Sequence, residues 1–110
     1  MKQLEETLYV GLVKEEEELA AFATLVEEKV AEGLDRNILV DLRMEKEVQP
    51  AYLLRFVNIS EKHRERGKSF VIVTDQVGID EVPEELIVTP TLQEAKDLIE
   101  MEEIERDLGF

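Results

Sequence analysis

Cysteine and tryptophan are absent from the chain of 110 residues, aromatic residues make up 5% of it, and His63 is its single histidine. Without cysteine there is no disulfide, no thiol nucleophile and no thiolate metal site, which suits a reducing compartment. The five glycines, Gly11, Gly33, Gly67, Gly78 and Gly109, stand singly, so no glycine-rich phosphate cradle exists. A G-x-S-x-G elbow is also missing, and a nucleophile, base and acid cannot be assembled around one histidine. The spacing of Asp75, Asp80 and Glu81 fails the calcium-loop pattern, so these acids read as a solvated loop. Too few aromatics are present to line a sugar-binding cleft. No metal, no cofactor and no enzymatic activity are expected.

Positive charge is scarce as well. Lys and Arg total 13 against 27 Asp and Glu, a formal net charge of -14. Such a chain is repelled by phosphate backbones and anionic lipid surfaces unless its cations are segregated on one face. Its one cationic cluster, Lys62, His63, Arg64, Arg66 and Lys68, is diluted by Glu61 and Glu65. It reads as the solvated end of a helix complementing the C-terminal dipole, with His63 a surface residue there. Neither nucleic acid nor membrane is expected as a partner. No segment approaches the ~18 consecutive apolar residues of a membrane span, and the opening M-K-Q-L-E-E-T does not read as a secretory leader. The expected location is the cytoplasm.

What the chain does contain is alternation. Within Asn37 to Leu42 the run Ile38, Leu39 and Val40 is apolar at consecutive positions, as in a strand covered on both faces, and Phe70 to Val73 repeats the pattern. Helical stripes flank the first run. Leu19, Phe22, Ala23, Val26 and Val30 precede it, behind a charge run over Lys14 to Glu18 that reads as the opening of the helix, and Gly33 ends that helix. Leu53, Phe56, Val57 and Ser60 follow it in a helix from Pro50 to Arg66, with Pro50 at the first helical position. Leu8 to Val13, interrupted by Gly11, reads as a first strand at an edge or bulge. Leu86 to Val88 reads as the last strand, after a long connection over Thr74 to Glu85. Arg43 to Gln49 is then a polar loop at the carboxyl end of the central strand, where open α/β sheets place their binding sites. The expectation is one α/β domain over residues 1–110, a small, mostly parallel four-stranded sheet covered by three to four helices.

The last helix opens at Thr91 with Glu94 three residues on, a capping box. Leu92, Ala95 and Ile99 share one face, but Met101, Ile104 and Leu108 fall on nearly the opposite side. Either the helix breaks near Glu100, or residues 100–110 project as a tail whose stripe meets a partner or a second copy of the chain.

The order of elements, with D-L (Asp41, Leu42) ending the central strand and T-L-Q-E-A (Thr91 to Ala95) opening the last helix, resembles the STAS domain, the fold of bacterial anti-sigma-factor antagonists. The resemblance implies a regulatory, non-enzymatic module that binds another protein through the loop after the central strand and the following helix. Here those positions are Glu47, Val48, Gln49, Tyr52 and Arg55. The family's D-S-S-G-L motif falls on Gln49, Pro50, Ala51, Tyr52 and Leu53, so neither phosphorylatable serine is kept and a phospho-switch at that place is excluded. A small-ligand sensor using a pocket near Arg43 and Tyr52 is the alternative. The segments S-F-V-I-V-T-D, D-E-V-P-E-E-L and M-E-E-I-E-R-D-L-G-F are also similar to small Bacteroidetes-type proteins carrying a label connected with ribonuclease Z. That nuclease needs an H-x-H-x-D-H cluster for two zinc ions, so at most a companion role to it follows.

Overall fold

In the computed structural model, which describes residues 1–109, the elements run β1 (Lys2–Glu5), β2 (Val10–Val13), α1 (Leu19–Ala31), β3 (Ile38–Asp41), α2 (Pro50–Leu53), α3 (Val57–Glu65), β4 (Phe70–Val73), β5 (Ile87–Thr89) and α4 (Leu92–Asp107). One tight 3-10 turn, Leu54–Phe56, joins α2 to α3, so the single helix expected from Pro50 to Arg66 is two α segments with that turn between them. A second, Ile79–Glu81, sits in the long connection. The strands lie in sequence order in one sheet. β2 to β5 are parallel, and β1 pairs antiparallel with β2. The sheet therefore has five strands, one more than the sequence pattern indicated. β2 is not an edge, because Lys2 to Glu5 cover it in register with Val13 to Val10.

β3 occupies the middle of the sheet and all four of its residues are buried. Side chains of a strand point to alternate faces, so its residues divide between two cores. Ile38 and Val40 meet Phe22, Val26, Leu53 and Phe56 under α1 and the α2–α3 rod. Leu39 meets Val71, Val73, Ala95 and Ile99 under α4. Two-sided cover is why consecutive positions are apolar. Phe22 and Phe56 are fully buried, and truncating either to Ala would cost about 3–5 kcal/mol. Gly33 and Gly67 stop their helices in the left-handed region, at φ 89 and 79. An L side chain is strained in that conformation, which is why glycine serves there.

The charge run does not open α1. The helix starts at Leu19, Glu15 to Glu18 lie ahead of its first turn, and Lys14 is buried, 2% exposed. α4 does not break at Glu100. Its inward face continues past Ile99 onto Glu102 and Arg106, which take polar partners, while Met101, Ile104 and Leu108 stay exposed. No described helix is long and apolar enough to cross a membrane.

Candidate functional site: the carboxyl rim of the sheet

Parallel strands β2 to β5 end together, and the loops leaving them form one rim. Asp41, the last residue of β3, is 4% exposed. Its Oδ1 accepts the Arg43 amide at 3.0 Å, and its two oxygens take the Arg43 guanidinium, with Nη2 to Oδ2 at 2.8 Å. Such a fork is strong and rigid, so it fixes the departure of the loop from the strand. Beyond the end of β2, the ammonium of Lys14 pairs with the carboxylate of Glu45 and donates to the carbonyl of Glu15 at 3.0 Å. Few buried charges go unpaired, and this pair ties the loop after β2 to the loop after β3.

The residues expected to meet a partner divide by depth. Glu47 and Gln49 are exposed, but Val48 is 4% exposed and belongs to the core, so its side chain is withdrawn from any partner. A polar loop needs an apolar peg to lie flat on the sheet, and Val48 is that peg. Tyr52 is half-buried and its hydroxyl donates to the carbonyl of Leu19 at 2.6 Å. Burial raises its phenol pKa well above the usual value, so it remains a donor at any physiological pH. Arg55 is exposed and reaches Glu27 at 2.8 Å and the Thr24 hydroxyl at 3.3 Å. Sequence patterning passed over two exposed apolar neighbours of these residues, Met44 at 62% and Leu54 at 59% exposure. Their exposure breaks the helical and strand stripes, which is the only mark they leave in the sequence.

Arg43 and Tyr52 leave the rim on different sides of the sheet. Asp41 follows Val40 on the strand, so the Asp41–Arg43 fork lies on the α4 side, where its charges act on the Tyr9 phenol. Tyr52 stands on the opposite side against α1. The concavities at this part of the rim are an open depression of about 320 Å³ beside Glu15, Glu16, Glu17 and Met44, and another of about 270 Å³ along Lys14 and Glu16 to Leu19. Among the described residues no group of His, Asp or Glu is placed to hold a metal ion. Asp41, Lys14, Tyr52 and Arg55 are each engaged by a neighbour.

The other end of the sheet holds a polar network that the sequence did not announce. The Asn37 amide donates to Leu8 O and to Glu103, each at 2.8 Å, and its Oδ1 accepts the Ser69 amide at 2.8 Å. The Ser69 hydroxyl donates to Glu102 at 2.6 Å, and Arg64 pairs with Glu102 at 3.2 Å. Arg106 donates to Asn37 and Ser69, both at 3.2 Å. Bonds from Asn37 and Arg106 hold Glu103 ionised, its pKa lowered. His63, expected at the surface, is fully buried beside this network. Its Nε2 donates to Arg36 O at 2.5 Å and burial lowers its pKa. Ser60 and Phe56, three and seven residues back, lie on the same inward stripe, so its ring and not its cationic neighbours decided its place.

No protein-family model matches the chain, and neither does any curated protein sequence. Solved structures do match it. RsbS of Moorella thermoacetica superposes with a TM-score of 0.65 at 17% identity, over 91% of this chain and 94% of that one. A Thermotoga maritima chain described as an anti-sigma factor antagonist gives 0.61 at 17% identity, over 90% and 93%. A chain of the stressosome, described as a signal integration and transduction hub, gives 0.61 at 14% identity, over 91% and 96%. The fold is that of STAS domains.

Proposed function

We propose that this chain is a non-enzymatic, STAS-like interaction module that binds another protein through the loop after β3 and the start of the α2–α3 rod. The observation that carries this reading is the state of the rim. Its charged and phenolic groups Lys14, Asp41, Tyr52 and Arg55 are held by neighbours, while Met44 on the loop that carries Glu47 and Gln49, and Leu54 next to Arg55 in the chain, stand 62% and 59% exposed. Exposed apolar side chains set in a polar rim are the composition of a transient protein contact. The shared fold supports the same reading, since it is also the fold of a stressosome chain and of an anti-sigma factor antagonist.

The place where the STAS motif carries serines is occupied by Pro50 and Ala51, so binding here is not gated by a phosphate at that place. Pro50 sets the first turn of α2 and Ala51 is exposed. The test is retention from the native cell on immobilised wild-type chain beside a Leu54→Asp, Arg55→Glu variant. Both side chains are exposed, so circular dichroism should report the same fold for both. A protein retained by the wild type and lost by the variant supports the assignment. Identical retention on both columns overturns it.

A further inference from the structure

Between Ser69 and Ala95 the chain carries no lysine or arginine and six acids, Asp75, Asp80, Glu81, Glu84, Glu85 and Glu94. None of the six lies within ion-pairing distance of a cation among the described residues. The same segment builds an apolar groove along the outer side of β5. Two adjoining hollows, of about 270 and 360 Å³, share Ile79, Val82 and Val88 as walls, with Val77 and Leu86 at their ends. Ile79 is 94% exposed, the most exposed large apolar side chain described, although the tight turn that carries it has a defined conformation. An aliphatic side chain held that far into water gains nothing for the fold.

We propose that this groove docks a lysine- or arginine-rich segment of another protein, whose aliphatic side chain inserts between Ile79, Val82 and Val88 while its cations meet Asp80, Glu81, Glu84 and Glu94. Charge complementarity selects this occupant. Glu84 and Glu94 line the hollows and Asp80 and Glu81 follow Ile79 in its turn; these unneutralised carboxylates disfavour an acidic or neutral guest and attract a cationic one, and the net charge of -14 steers it there. The hollows sit at the lower end of the ~300–1,000 Å³ typical of small-molecule sites and have one side open, which fits an anchoring side chain better than an enclosed ligand. A face-to-face second copy would set the acids of one groove against those of the other. This surface is separate from the loop after β3 and does not depend on the function proposed above.

The experiment uses a fluorescein-labelled, amidated lysine-rich peptide containing Leu-Lys-Lys-Leu, read by anisotropy against the full chain, with a control peptide in which both leucines are serine. The expected result is binding of the leucine peptide that weakens with added salt, falling about tenfold or more with the serine control, with Ile79→Ser and with Glu81→Lys plus Glu84→Lys. Ile79 and both glutamates are exposed, so the variants should melt with the wild type. Equal binding of the two peptides would reduce the effect to undirected attraction and overturn the groove as a site. Binding that survives the groove variants, or that is lost on Leu54→Asp and not on Ile79→Ser, would place the peptide elsewhere and overturn it. A head-to-tail oligomer in sedimentation that dissociates on Glu81→Lys plus Glu84→Lys would make the chain's own Lys62, Arg66 and Lys68 the occupant and overturn a foreign partner.

Discussion

Asn37 accepts the backbone amide of Ser69 at 2.8 Å, bracing the start of β3 against the start of β4, and the other half of the same side-chain amide reaches Glu103 on α4. Both residues are buried, at 3% and 0% exposure. One side chain therefore joins two strands and the last turns of a helix whose outward face is apolar. This is how residues 102 to 106 stay on the domain although the apolar stripe has rotated away.

Asn37→Ala is expected to strand the Ser69 amide and to remove the anchor of Glu103, lowering stability by about 1–3 kcal/mol in urea unfolding. Amide exchange should accelerate most from Glu102 to Asp107 and least in β3. A uniform acceleration across the chain would show that the network does not hold α4 locally.

The Lys14–Glu45 pair should respond asymmetrically. Glu45→Ala leaves a buried ammonium with only the Glu15 carbonyl, whereas Lys14→Met replaces the ammonium with an apolar group of similar length and frees a partly exposed carboxylate. Thermal and urea unfolding should put Glu45→Ala about 2 kcal/mol or more below wild type and Lys14→Met within about 1 kcal/mol of it. The reverse order would mean that the pair, and not the buried charge, sets the energetics.

His63 makes stability depend on pH. Its folded pKa lies below the unfolded value of about 6.5, mainly because burial disfavours the imidazolium. The folded state thus holds fewer protons than the unfolded one as pH falls below about 6.5, and stability declines from there down to the folded pKa. His63→Gln keeps a donor for Arg36 O but cannot be protonated. Unfolding followed between pH 7.5 and 5.5, a window of about two units around the free histidine pKa, should show a steeper loss in wild type than in the variant. Parallel curves would remove His63 as the cause.

The stripe of Met101, Ile104 and Leu108 is a second proposed contact. These side chains are 55%, 53% and 66% exposed, so Met101→Glu with Ile104→Glu should move stability by only about 0.5 kcal/mol per site. If the stripe joins two copies or a partner, light scattering should record a loss of mass in the variant with the helical signal unchanged. Unchanged mass, with and without lysate, would leave the stripe without a binding role.

The residues that announced themselves in the sequence are those whose burial is periodic. β3 and β4 were legible because two-sided cover makes consecutive positions apolar, Ile38 to Val40 and Phe70 to Val73, and α1 because Phe22, Val26 and Val30 repeat on one face. β1 was not legible, since Lys2 to Glu5 are all exposed and show no alternation for the backbone pairing to be inferred from. His63 was misplaced because its neighbours in the chain are cations, although the Phe56–Ser60–His63 spacing already pointed inward. On α4, the stripe of Leu92, Ala95 and Ile99 continues at helical spacing onto Glu102 and Arg106. Counting apolar residues alone hid that polar groups carry the packing there. Val48, read with the surface loop, had no periodic neighbours to reveal it as a core residue. The Lys14–Glu45 and Asn37–Glu103 contacts join distant segments, and no local pattern encodes them.

The antiparallel β1 seals one margin of the sheet with charged, solvated residues, which leaves β5 as the other. β5 is only three residues long and runs directly into Pro90, which has no amide hydrogen to offer. Strand-by-strand extension into fibrils is thereby discouraged at both margins, and a visitor at the β5 side must be gripped by its side chains because little free backbone is there to be paired.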